Sequence, residues 1–162
     1  MPTRTEPFRV LILCTGNSAR SQIAEALFAA KGAGRFVAES AGSHPAARVN
    51  PLAVEALAQA GIDWTGRVPR SVEGLEREHW DFVITVCDRA KESCPYFPGQ
   101  PMTAHWGMPD PAEVEGSEEA KRAAFRDTFV TLGRRIDLMM ALPVEKLERL
   151  ALERQVREIG SQ

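Results

Sequence analysis

The run Cys14-Thr15-Gly16-Asn17-Ser18-Ala19-Arg20-Ser21 sets a thiol six positions ahead of a guanidinium, with small and polar residues between them. By spacing alone that is a weak signal. Its setting strengthens it, because the run follows an apolar stretch and precedes a helical pattern, where open α/β sheets place their ligands. Successive backbone N–H groups from Thr15 to Ser21 can point inward there and form a nest for a tetrahedral oxyanion. Gly16 is expected where φ must be unusual, and Asn17 is expected to brace an irregular turn. Arg20 offers a forked, permanently charged donor that matches two anion oxygens. These groups should lower the pKa of Cys14 and make its thiolate a nucleophile, with Ser21 placed to donate a hydrogen bond to the sulfur. The plain alternative is a buried thiol at a strand end and a solvated arginine at a helix start.

Two further thiols, Cys87 and Cys94, follow a later apolar run. Seven positions are two helical turns, about 10 Å by the rise per residue. A disulfide needs Cα atoms within about 7 Å, so pairing the two requires this segment to bend or unwind. Read plainly, Cys87 is a core thiol and Cys94 an incidental loop thiol. The spacing is not that of a zinc site, and the three histidines, His44, His79 and His105, are scattered. Asp110, between Pro109 and Pro111, sits on a stiff turn and could protonate a departing oxygen as a general acid, or simply cap that turn.

Four apolar runs can hold these groups at one edge: Phe8 to Leu13, Arg35 to Glu39, Asp81 to Val86 and Met102 to His105. Helical patterns alternate with them. One carries Ile23, Ala26, Leu27 and Ala30 and closes at Gly32 and Gly34. Asn50 with Pro51 opens another, which stops at Gly61. A short helix is expected over Ser71 to His79, and a long one from about Ser117 to Leu142. After Pro143 comes an extra C-terminal helix, about 144–159, with charges on most faces. The expected fold class is therefore α/β: a single domain over 1–162, with a four-stranded parallel sheet and helices on both faces.

The 162 residues carry a net charge of −2 and a pI near 6.0, which gives no basic field of the kind nucleic-acid binders use. No apolar run approaches the roughly 20 residues that cross a bilayer, and the first nine residues do not read as a signal peptide. Neither nucleic acid nor membrane is expected as a partner, and the expected location is the reducing cytoplasm. Three cysteines cannot pair off into a disulfide framework there.

From about Phe8 to Leu142 the chain resembles the low-molecular-weight protein tyrosine phosphatases and the thioredoxin-coupled arsenate reductases that share their fold. Cys14 to Ser21 matches the anion-binding loop of both, with Ala19 where many relatives carry a cysteine. Both have an acid in an Asp-Pro loop like that of Asp110. Ala112 stands where the phosphatases usually have tyrosine, and Cys87 and Cys94 match the two further thiols of the reductases. The resemblance implies a phosphotyrosine protein phosphatase I-like fold and an arsenate reductase that turns arsenate into arsenite. It implies Cys14 as nucleophile, Cys87 as first and Cys94 as second resolving thiol, Arg20 on the anion and Asp110 as acid. Thioredoxin or a similar thiol protein would then regenerate the enzyme. The alternative is a phosphatase that uses only Cys14, Arg20 and Asp110. No cofactor is expected. Asn17, Glu25 and Ser40 match residues that help some reductases bind a monovalent cation, but Val68-Pro69-Arg70 stands where another acid would be expected. Arg70 is the expected substitute for the cation, and no metal is assigned.

Overall fold

Seven consecutive residues, Phe8–Cys14, form strand β1, and all but Arg9 are buried. Their side chains alternate between two apolar clusters. Val10, Ile12 and Cys14 enter one, and Leu11 and Leu13 the other. A continuous apolar run buried on both sides is what a central parallel strand requires. The computed structural model describes residues 6–88, 92, 97, 99, 101–147 and 149–162. In it β1 is flanked by β2 (Phe36–Gly42) and β3 (Phe82–Thr85), with β4 (Met102–His105) beyond β3. All pairings are parallel, in the order β2-β1-β3-β4.

The larger cluster gathers residues of four α-helices: α1 (Arg20–Lys31), α2 (Pro51–Gln59), α3 (Glu118–Met140) and α4 (Arg149–Ile159). The smaller one is closed by Leu75, Trp80, Val72 and Phe97, with Leu75 opening a short 3-10 turn, Leu75–Arg77. The helix starts follow local chemistry. The Asn50 side chain accepts from the Leu52 N–H at 2.9 Å with Pro51 at the first position, and the Ser117 hydroxyl accepts from the Ala120 N–H at 3.1 Å. Helix α1 has no such side-chain cap.

Three expected boundaries move. In place of a helix over Ser71 to His79 there is only the 3-10 turn. Ser71 is pulled alongside the end of β2, where the Gly42 N–H bonds to the Arg70 carbonyl and the Val72 N–H to the Gly42 carbonyl. Gly74 adds a left-handed residue, φ 86. Strand β2 runs on to Gly42 because its last residue packs under the Cys14 loop. A Cβ at Gly42 would collide with the Thr15 carbonyl. Helix α4 starts at Arg149 rather than near Val144. The preceding turn is pinned by Arg35, which donates to the Glu145 carboxylate and to the Met140 and Leu142 carbonyls.

The charged sequence of α4 hides one apolar stripe, Leu152, Val156 and Ile159, at helical spacing. The helix seals the open edge of β4. The Glu153 carboxylate accepts the Thr103 N–H at 3.1 Å, and Arg157 Nε donates to the Thr103 carbonyl at 3.0 Å. Covering an edge strand in this way satisfies backbone groups that would otherwise invite another chain to pair.

Candidate active site

Directly after β1 the chain turns back on itself, and the turn is held from behind. Asn17 is the one non-glycine residue in the left-handed region among the described residues, φ 51, so the strained position falls on Asn17 and not on Gly16. Its buried amide uses every hydrogen-bonding site. Nδ2 donates to Ser21 Oγ (2.8 Å) and Ser40 Oγ (2.9 Å), while Oδ1 accepts from the Arg70 N–H (2.9 Å) and Gln22 Nε2 (3.1 Å). Gln22 is fixed in turn by Trp64 Nε1, and Ser40 donates to Glu25 at 2.6 Å. Ser21 Oγ thus serves Asn17 as an acceptor. On the outer side, the carbonyls of Cys14, Thr15, Gly16 and Ser18 accept N–H groups of Ser43, His44, Ala46 and Asn50. A trans peptide points its N–H away from its C=O, so the N–H groups of Thr15, Gly16, Asn17 and Ala19 turn the other way.

Beside the loop lies a cavity of about 720 Å³ whose lining includes Cys14, Thr15, Gly16, Arg20, Glu92 and Asp110. Arg20 is only 2% exposed. Both its terminal nitrogens meet the Glu92 carboxylate at 2.6 Å, a two-toothed pair, and Nη1 also donates to the Met108 carbonyl at 3.0 Å. Glu92 further accepts the Thr15 hydroxyl (2.9 Å) and the Asp88 N–H (2.7 Å). Arg20 Nε is buried without a partner among the described residues. Asp110 does two things: Oδ1 caps the turn Pro111–Glu113 through the Ala112 N–H at 3.0 Å, and Oδ2 lies 3.7 Å from Arg20 Nη2.

Charge in this cavity departs from the sequence-based expectation. Burial pushes the Glu92 carboxyl up, but Arg20, the Asp88 N–H and the Thr15 hydroxyl outweigh it and hold the pKa at about 2. The Cys14 thiol is raised, not lowered. Burial dominates, and the charges of Glu92 and Asp110 work against the help given by Arg20 and the Thr15 N–H. The expectation left out the cost of burying the thiol, which is the largest cause, and the two carboxylates beside Arg20. In the folded chain the charge of Arg20 is already matched.

Cys14 is a free thiol, and Cys87, fully buried, takes part in a disulfide. Leu13 sits opposite Thr85 across the β1–β3 ladder, and the Val86 N–H bonds to the Leu13 carbonyl, so Cys14 and Cys87 leave neighbouring strands at the same edge. Cys94 lies outside the described residues. The Asp110 loop leaves that edge from β4. Gly107 lets it lie against the Cys87 carbonyl, where a Cβ would collide with His105, and buried Arg135 holds the Trp106 carbonyl at 2.9 Å. The cation expected from Arg70 is placed differently as well. Arg70 pairs with Glu39 at 2.6 Å, and Arg67 is the residue beside Glu25, at 3.4 Å. Spacing did not reveal Glu92, Gln22, Trp64 or the Met108 carbonyl. Glu92 reads in sequence as one more charge in a polar segment.

A profile of the low molecular weight phosphotyrosine protein phosphatase family matches residues 9–155. The arsenate reductase of Bacillus licheniformis is 41% identical over 128 residues, 78% of this chain and 91% of its own. Among solved structures, the arsenate reductase from Archaeoglobus fulgidus superposes with a TM-score of 0.61 at 30% identity, over 79% of this chain and 98% of that one. A thioredoxin-dependent arsenate reductase from Corynebacterium glutamicum gives a TM-score of 0.58 at 28% identity, over 83% of this chain and 64% of that one. The loop after β1, the four parallel strands and these matches agree: the chain belongs to the low molecular weight phosphotyrosine protein phosphatase family, alongside its arsenate reductases.

Proposed function

We propose that this protein reduces arsenate to arsenite by passing oxidation from Cys14 to Cys87 to Cys94, in a reducing cytoplasm where thioredoxin or a similar dithiol protein closes the cycle. The observation that carries the reading is the two-toothed grip of buried Arg20 on a carboxylate at the mouth of the Cys14 cavity. That grip is the geometry an oxyanion would take. The likeness to arsenate reductases, and the emergence of Cys14 and Cys87 at the same sheet edge, favour reduction over hydrolysis.

The chemistry follows in three displacements. Arsenate enters the loop on Arg20 and the inward N–H groups. The Cys14 sulfur, its proton lost, attacks arsenic, and Asp110 protonates the oxygen that leaves as water. The Cys87 thiolate then attacks the Cys14 sulfur. The S–As bond breaks with its electron pair passing to arsenic, so As(V) becomes As(III), arsenite departs, and a Cys14–Cys87 disulfide remains. Cys94 attacks Cys87, freeing Cys14 and leaving a Cys87–Cys94 disulfide for the external dithiol to reduce.

The test is arsenate-dependent NADPH consumption with thioredoxin and thioredoxin reductase. Wild type should turn over continuously, and Cys87→Ser should stop after at most one arsenite per chain. Unimpaired multiple turnover by Cys87→Ser would overturn the relay. Activity that needs only Cys14, Arg20 and Asp110 would identify a phosphatase.

A further inference from the structure

We propose that Glu92 is a built-in competitor for the oxyanion loop, a carboxylate of the chain itself that every incoming anion must displace. The proposal rests on the reading above that this loop binds an oxyanion. Glu92 takes both terminal nitrogens of Arg20 at 2.6 Å and the hydroxyl of Thr15 at 2.9 Å, inside the cavity that Cys14 lines. Nothing about the site requires such a residue to hold Arg20 in place. The Met108 carbonyl already accepts from the same guanidinium, and Asp110 stands 3.7 Å from it.

The carboxylate imitates only part of the expected ligand. It has two oxygens and one negative charge, and it leaves Arg20 Nε unpartnered among the described residues. A tetrahedral dianion can bridge Arg20 and also reach the N–H groups turned inward from the loop. It can therefore displace Glu92. The exchange keeps Arg20 neutralised throughout, so no bare buried cation is exposed on the way.

Such a competitor raises the apparent dissociation constant of every external anion by the same factor, the reciprocal of the fraction of chains with the loop open. It does not alter the ratio between two external anions. It sets the threshold concentration, so a weak monoanion such as acetate binds only at high concentration while a dianion binds at a lower one.

The experiment uses the disulfide-bonded full chain and inorganic phosphate, with acetate as the second probe, titrated calorimetrically into wild type, Glu92→Gln and Glu92→Ala. Both variants should bind phosphate about tenfold more tightly than wild type, and acetate should gain by the same factor. Equal or weaker phosphate binding by both variants would overturn the proposal and make Glu92 a support for Arg20. If phosphate binds to none of the three proteins, the oxyanion-loop reading fails first and the proposal with it. A gain for phosphate without a gain for acetate would also count against simple competition.

Discussion

The two sides of the Cys14–Ser21 loop are built on opposite principles. Behind it, the uncharged side chains of Asn17, Ser21, Ser40, Gln22 and Trp64 form a buried network that meets a charge only at its far end, where Ser40 donates to Glu25, and in which the Asn17 amide makes four hydrogen bonds. In front, Arg20, Glu92 and Asp110 balance full charges around an open cavity. A saturated neutral network has one arrangement and loses by any change. A charge pair at a cavity mouth can trade one anion for another at little net cost. The loop is thus rigid where its shape matters and exchangeable where its ligand binds.

That contrast can be broken from either side. The largest effect should come from the front. Replacing Arg20 by Ala removes the principal donor for the anion, and kcat/KM for arsenate should fall by about a hundred- to a thousandfold, read in the coupled NADPH assay. The fold should survive, because α1 and β1 keep their apolar contacts. The reverse pattern is expected from behind. Asn17→Ala removes the amide that donates to the hydroxyls of Ser21 and Ser40 and leaves the N–H of Arg70 without its acceptor, and should destabilise the chain by at least about 2 kcal/mol in urea unfolding. Equal stability of wild type and Asn17→Ala would show that the rear network is not what fixes the loop.

The smallest and most specific effect concerns pH. The Glu92 pKa is lowered from 4.5 to about 2, so its pairing stabilises the fold fully above about 4.5 and is lost as pH falls toward 2. The stability difference between wild type and Glu92→Gln should be constant at neutral pH and shrink across that acid window. A difference that persists unchanged at pH 2 would mean that the carboxylate charge is not what Arg20 holds.

Much of this molecule could be read from its residues because the relevant forces are local. The apolar run Phe8 to Leu13, the Asn50-Pro51 start and the Ser117 cap depend on neighbours a few positions away, and each element is found where those signals put it. The errors share a different cause. Ser71 was drawn out of a helix by the end of β2, about 30 residues earlier in the chain, and Val144 was kept from one by Arg35. The strain expected at Gly16 fell on Asn17 because distant partners, Ser40 and Arg70, reward its side chain for being there.

The sequence by itself determined the parallel α/β plan, the thiol at the end of the first strand, and the guanidinium and the acid at two further points along the chain. Residue type and period are enough for those. Only the tertiary structure decided the electrostatic state of the site. A pKa depends on what stands within a few ångströms, and the carboxylate that matches Arg20 is 72 positions away from it in the chain.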